Sequence, residues 1–116
     1  MPAQSYTNAA EDIAVRFLRA SGITVLSRND RRYGAEVDVL GRLKGGEELC
    51  IFEVKHWQKN ATFPPVSAAQ RKRLVAATGA IESNAGNRLS VVPYALLVDT
   101  ARHSVCLVPL ADYAGN

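Results

Sequence analysis

Cysteine is scarce in this chain: Cys50 and Cys106 are the only two among 116 residues. Neither has a second cysteine or a histidine at zinc-ligand spacing, which excludes a disulfide-dense secreted scaffold and a zinc knuckle. Both lie in apolar stretches, so buried reduced thiols are the simplest expectation and a disulfide between neighbouring strands is the alternative. No apolar stretch approaches the ~20 residues that span a bilayer, and the polar N-terminus lacks a basic-plus-apolar leader. A cytoplasmic location without a membrane partner is expected. The charge imbalance is small: a net +3 and a pI of about 9.1 permit a polyanionic partner without requiring one. No repeat, low-complexity tract or linker divides the chain, so residues 1–116 are expected to form a single domain with a modest core.

What is present is an alternation of helix-like and strand-like patterns. Asn8 to Ser21 reads as a helix, with Ala10, Ile13, Ala14, Phe17 and Leu18 on one buried stripe, Asn8 as N-cap and Gly22 as the stop. Ile23, Val25 and Leu26 open a strand that runs out in the polar Ser27–Arg32. Glu36–Gly41 and Glu48–Lys55 read as a hairpin closed by Lys44-Gly45-Gly46-Glu47. A loop from His56 to Val66 contains Asn60 and Pro64-Pro65, and a second helix covers Ser67 to about Ser83. After a break at Asn84–Arg88, Leu89–Asp99 and Ser104–Leu110 read as strands. The order α-β-β-β-α-β-β predicts an α/β (α+β) fold, a mixed sheet flanked by helices, with strands three and four parallel across the helix that joins them.

Strand side chains alternate between faces. Ile51, Glu53 and Lys55 therefore share a face opposite Cys50, Phe52 and Val54, and Glu36, Asp38 and Leu40 share one opposite Val37 and Val39. Burying carboxylates and an ammonium on apolar strands is costly unless they pair or hold a metal, so a hairpin that aligns Asp38, Glu53 and Lys55 predicts a site. Glu11 borders the buried stripe of the first helix, and Gln70 leads Leu74, Ala77 and Ile81 in the second. A cation such as Mg²⁺ takes oxygen ligands. Asp38 and Glu53 offer carboxylates, Val54 a backbone carbonyl, and Glu11 a further carboxylate, directly or through water. Lys55 is placed to orient an attacking water or to stabilise developing charge, and Gln70 to hold a phosphate or a water. Arg71, Lys72 and Arg73 offer sequence-independent contacts to phosphates, and Trp57 a ring for base stacking.

Plainer accounts exist for each. Asn8-x-x-Glu11 and Ser67-x-x-Gln70 both fit capping boxes. Glu53 and Lys55 fit an exposed same-face pair, Glu36 an exposed strand residue, the basic triplet a solvated helix face, and Trp57 a structural anchor. The order of an upstream helical acid, then Asp, then Glu-x-Lys on the following strand is what sets the constellation apart.

In that order Glu11, Asp38 and Glu53-Val54-Lys55 resemble the acid, Asp and Glu-x-Lys of the PD-(D/E)XK nuclease superfamily. The closer resemblance, over most of the chain, is to the YraN family of small bacterial proteins, which look related to archaeal Holliday junction resolvases. It is carried by Ala10-Glu11-Asp12-Ile13-Ala14 with Phe17-Leu18 and Gly22, by Leu26-Ser27-Arg28-Asn29, by Glu36-Val37-Asp38-Val39-Leu40, and by Phe52-Glu53-Val54-Lys55. Gln70 to Leu74 falls where that family carries a basic helix. The resemblance implies a restriction-endonuclease-like core, Mg²⁺ or Mn²⁺, and a DNA substrate. It further implies Glu11, Asp38 and Glu53 as metal ligands and Lys55 as catalytic base or electrostatic helper. Ala35 between Gly34 and Glu36, His56-Trp57 after the Lys, and the loop Gln58–Val66 depart from the family pattern, and these departures bear on substrate choice.

The expected function is therefore a metal-dependent endonuclease acting on DNA, on branched or flapped forms if it is resolvase-like. The alternatives are a nucleic-acid-binding module of the same fold without turnover and an interaction protein with solvated carboxylates. A junction resolvase needs a homodimer to cut two strands symmetrically. The apolar Val105–Tyr113 offers such an interface, and an ordinary last strand accounts for it equally.

Overall fold

Small and apolar residues three and four apart make the first helix and set it on the sheet. The computed structural model describes residues 2–43, 46, 48–57 and 66–110, with side chains described from residue 9 onward. Helix α1 (Pro2–Ala20) buries Ala10, Ala14, Val15 and Leu18. It stops at Gly22, whose backbone takes the left-handed region (φ 87°) that a Cβ resists. Because α1 begins at Pro2, Asn8 lies inside the helix and is not its N-cap, and the capping-box account of Glu11 falls with it.

Five strands, β1 (Ile23–Asp30), β2 (Val37–Leu43), β3 (Glu48–His56), β4 (Ser90–Asp99) and β5 (Ser104–Pro109), form one sheet in sequence order. The β3–β4 pair is parallel and the others are antiparallel. Helix α2 (Ala68–Asn84) is the crossover between the parallel pair, as the order of elements predicts. β1 continues through Ser27–Asp30, where the polar sequence predicts a run-out, because Arg28 and Asp30 pair with Val39 and Val37. Ladder hydrogen bonds and one buried neighbour outweigh side-chain polarity at an edge strand.

The sheet carries a core on each face. Val39, Cys50, Phe52, Leu96 and Val98 meet α1 on one side. Leu40, Leu49, Ile51, Ala95 and Leu97 meet Leu74, Ala77 and Ile81 of α2 on the other. Each fully buried Leu, Ile or Val contributes roughly 1.5–3 kcal/mol relative to exposure, so the two-residue alternation of β3 and β4 is held from both sides. Gly41 of β2 is tightly constrained. A Cβ there would lie 2.6 Å from Ile23 Cγ2 and 3.3 Å from the Thr24 carbonyl oxygen, so only glycine lets β1 and β2 close at this point.

Of the two thiols one departs from expectation. Cys50 is buried under α1, but Cys106 is exposed; both are free. Cys106 pairs with Leu97, on the α2 side of the sheet, whereas Cys50 faces the α1 core, so a strand-to-strand disulfide is excluded. Of the predicted hairpin turn, Gly46 donates its N–H to the Leu43 carbonyl at 2.9 Å, while residues 44, 45 and 47 lie outside the described residues. So do residues 58–65 of the predicted loop and residues 111–113 of the predicted apolar tail. Among the described residues no helix is long and apolar enough to cross a membrane.

Candidate active site

The site lies where two neighbouring strands separate. β2 and β3 pair from Arg42↔Leu49 up to Val39↔Phe52, and β3 runs on beside β4 as far as His56↔Val98. β2 instead continues with β1, through Val37↔Asp30. Beyond Phe52 the β2 edge of β3 therefore has no backbone ladder partner among the described residues, and a buried N–H there must find another acceptor. Asp38 supplies it: its Oδ2 accepts the Val54 N–H at 2.8 Å. The N–H and C=O of a strand residue lie on the same edge, so the Val54 carbonyl belongs to this edge as well.

Asp38 and Glu53 are both 8% exposed, and their carboxyl groups act on one another's titration. A charge on one carboxyl disfavours a charge on the other, so the two do not ionise independently. Burial, followed by the Asp38 charge, pushes Glu53 up to about 8, against the pull of Lys55. Burial also raises Asp38, with Glu11 and Glu36 adding to the rise and the Val54 N–H opposing it. Lys55 Nζ stands 3.8 Å from Glu53 Oε1, and Gln70 Nε2 donates to that oxygen at 3.0 Å. Ser67 caps α2 by accepting the Gln70 backbone N–H, so the cap is made while the Gln70 side chain is left for Glu53; the reciprocal half of a capping box is not formed.

Glu11 arrives from the α1 layer. It is buried, and its Oε1 faces Arg28 Nη2 at 3.5 Å and Asn29 Nδ2 at 3.4 Å. It lies close enough for its charge to raise Asp38. Among the described residues, however, no three acidic, histidine or cysteine side chains gather as a ready metal cage. The structure thus brings Asp38, Glu53, Val54, Lys55 and Gln70 together and holds Glu11 beside them on β1 donors. Arg28 also pairs with Asp12 at 3.1 Å.

A cavity of about 130 Å³ opens against this group, lined by Ala35, Glu36, Glu53, Gln70, Arg73 and Leu74. Glu36 is exposed and paired with Arg31 at 3.1 Å. Arg73 is the member of the basic triplet that reaches the cavity wall; Arg71 is half-buried and Lys72 exposed. No carboxylate lies within ion-pair distance of any of the three among the described residues. Trp57 follows Lys55 by two residues and is 42% exposed.

Two features escaped the sequence reading. One is the Arg28–Asn29 grip on Glu11. The other is the buried Asp30, whose carboxylate accepts from Arg32 Nε, Nη2 and N and from Ser27 Oγ. Those hydrogen bonds from Arg32 hold it well below the usual carboxylate range. The Arg32 guanidinium also lies over the Tyr33 ring, 5.1 Å from its centroid, which fastens the connection between β1 and Asp38. The available signal was Asn29, a residue type that tolerates the left-handed backbone found here (φ 52°).

The sequence profile of the uncharacterised protein family UPF0102 matches residues 10–93. A UPF0102 protein of Pelobacter propionicus is 34% identical over 103 residues, covering 82% of this chain and 73% of the relative. Another, from Marinobacter nauticus, is 37% identical over 70 residues, or 58% of this chain and 55% of the relative. A third, from Hahella chejuensis, is 46% identical over 48 residues, which is 41% of this chain and 37% of the relative. The chain spans about half the length of the Marinobacter relative and less of the Hahella one.

Proposed function

The chain belongs to the UPF0102 (YraN) family, and from the arrangement of its residues we propose that it hydrolyses phosphodiester bonds in DNA with a divalent cation held by Asp38 and Glu53. The observation that carries this reading is the buried carboxyl pair at the point where β2 leaves β3. Two buried acids that disfavour each other's charge, with Lys55 beside Glu53 as countercharge, form a site that a cation would relieve further. The donor set is all oxygen, with two carboxylates and the carbonyl edge of Val54, and that suits Mg²⁺ or Mn²⁺ rather than a soft metal. Glu11, held by Arg28 and Asn29, would complete the set through a water.

Bound there, the cation supplies Lewis acidity toward a phosphoryl oxygen and lowers the pKa of a water. The remaining work falls to the chain. Lys55, 3.8 Å from Glu53, orients the attacking water and offsets charge that grows on the phosphoryl group. Gln70 fixes the Glu53 carboxylate by its 3.0 Å hydrogen bond. Arg73 at the cavity wall, with Arg71 and Lys72, takes the flanking phosphates, since none has a carboxylate partner to satisfy first among the described residues. Water adds to phosphorus, the bridging oxygen leaves, and the proton released by water goes to solvent or to the leaving oxygen.

The test is incubation with plasmid, flap and four-way junction DNA in Mg²⁺ or Mn²⁺, beside Asp38→Asn and Lys55→Ala. Cutting by the wild type that both variants lose supports the proposal. DNA that is shifted but never cut makes the chain a binding module, and absence of contact with DNA overturns both readings. Melting the wild type with and without Mn²⁺ tests the cation site independently, because a ligand bound only to the folded state raises apparent stability.

A further inference from the structure

We propose that Trp57 is a stacking platform for an unpaired DNA base, so that the substrate enters the site as a single-stranded segment. This inference rests on the DNA-handling reading of the site and specifies which form of DNA it takes.

Trp57 is the one aromatic among the large apolar side chains that the described surface leaves exposed; the others are Leu26, Leu43, Val75 and Leu107. An indole left 42% exposed forgoes much of the burial that usually decides where tryptophan goes. Its backbone is nevertheless fixed. The β3–β4 ladder continues past His56 through a 2.8 Å hydrogen bond from the Trp57 N–H to the Val98 carbonyl, and Val98 is fully buried. One residue earlier, His56 Nε2 at the end of β3 and Thr100 Oγ1 in the turn after β4 meet at 2.9 Å. The ring therefore stands on rigid backbone, and a partner that stacks on it pays little ordering entropy on the protein side.

Its position relates it to the site. With the ladder unbroken, the strand alternation that puts Glu53 and Lys55 on the α2 side of the sheet carries Trp57 to that side too. Two residues along a strand span roughly 6.6 Å, so the ring follows Lys55 by about one step of an extended nucleotide chain. The local charge allows a polyanion to approach. Arg71, Lys72 and Arg73 have no carboxylate partner among the described residues. Asp99, at the end of β4, is engaged by the Ala101 and Arg102 N–H groups and lies 3.9 Å from the Arg102 guanidinium. Inside a duplex both faces of each base are covered by its neighbours, so away from the ends a base reaches an exposed ring only by leaving the stack.

The chain contains one tryptophan, so emission excited on the red edge, beyond the absorption of the four tyrosines, reports on Trp57. Protein carrying Asp38→Asn, the variant expected to lose turnover, is titrated without metal with an oligothymidylate and with a duplex long enough that its ends are few, while anisotropy of a labelled strand reads binding separately. The expected result is quenched Trp57 emission on saturation with the single strand and little change with the duplex. Trp57→Ala lowers the single-strand-over-duplex preference by roughly 5- to 100-fold, the range for loss of one base stack, and Trp57→Phe, which keeps a ring, recovers most of it. Unchanged emission at saturating single strand, an equal response to duplex, or no binding of single-stranded DNA overturns the proposal. The quench is read on a chain that keeps its tryptophan, so it tests the platform even where Trp57→Ala fails to fold. Cleavage by the wild type is scored separately with Mn²⁺: cutting without quenching removes the platform and keeps the nuclease, and quenching without cutting does the reverse.

Discussion

Replacing Glu53 with Gln should stabilise the cation-free protein at alkaline pH and leave it nearly unchanged at acid pH. Glu53 is raised from 4.5 to about 8 in the folded chain, so between these values the native state binds a proton that the unfolded state has released. Stability from this group is therefore complete below pH 4.5 and is lost as pH rises through 8. At about 1.36 kcal/mol per unit, the displacement of roughly 3.5 units sets a ceiling near ~5 kcal/mol. Two effects reduce the realised gain: Lys55 loses the charge 3.8 Å away, and Asp38 titrates beside a group that is neutral at every pH. The expected gain for Glu53→Gln at pH 9 is about 2–3 kcal/mol, or roughly 8–12 °C in Tm for a chain of this size. Gln keeps an oxygen for the Gln70 amide, so the contact with α2 survives. The assay is urea unfolding of both proteins in chelator at pH 4.5, 6, 7.5 and 9. Curves that stay parallel across this range, or a variant less stable at pH 9, would refute the account of Glu53 as a carboxyl raised by burial and by Asp38. Adding Mn²⁺ at pH 9 should raise the wild type toward the variant and leave the variant unmoved.

Asp30→Asn runs in the opposite direction with pH. The Asp30 carboxyl is held below its ordinary value of 3.8, so its stabilisation is present above pH 3.8 and lost as pH falls. The variant should cost about 1 kcal/mol at pH 7, the guanidinium side being open to water, and progressively less as pH falls below 3.8, read from urea midpoints. Gly41→Ala places a Cβ 2.6 Å from Ile23 Cγ2 and should cost roughly 1–3 kcal/mol by overpacking. Combining it with Ile23→Ala should give a favourable coupling in a double-mutant cycle.

The faces of the strands were legible in the sequence because a period of two leaves little freedom. Once β3 was recognised, Glu53 and Lys55 had to share a side with Ile51, and the structure puts Ile51 and Leu49 against α2 as that alternation requires. The parallel β3–β4 pair was legible because a helix-length connection suits a crossover better than a hairpin. Contacts between distant segments were not. No local pattern announces that Arg28 and Asn29 will take Glu11, since that depends on β1 continuing four residues past Leu26 beside β2. Cys106 was misread for a similar reason: its apolar neighbours signal burial, but β5 is an edge strand whose α2-side surface no helix covers at that position. The start of α1 was missed because Asn8 makes a good N-cap locally, and the helix passes through it regardless.

The separation of β2 from β3 is what turns ordinary strand residues into a site. Had the two strands stayed paired, the Val54 N–H would have met a β2 carbonyl, and an aspartate at position 38 would have had no backbone group to bind. Because they part, Asp38 has to turn inward to satisfy Val54, and Glu53 on the neighbouring strand is brought against it. A neutral side chain at position 38 that accepts one hydrogen bond would meet the structural need at far lower electrostatic cost. Under the proposed function the acid at that position serves a divalent cation, the partner that both carboxylates and the adjacent carbonyl edge would favour together.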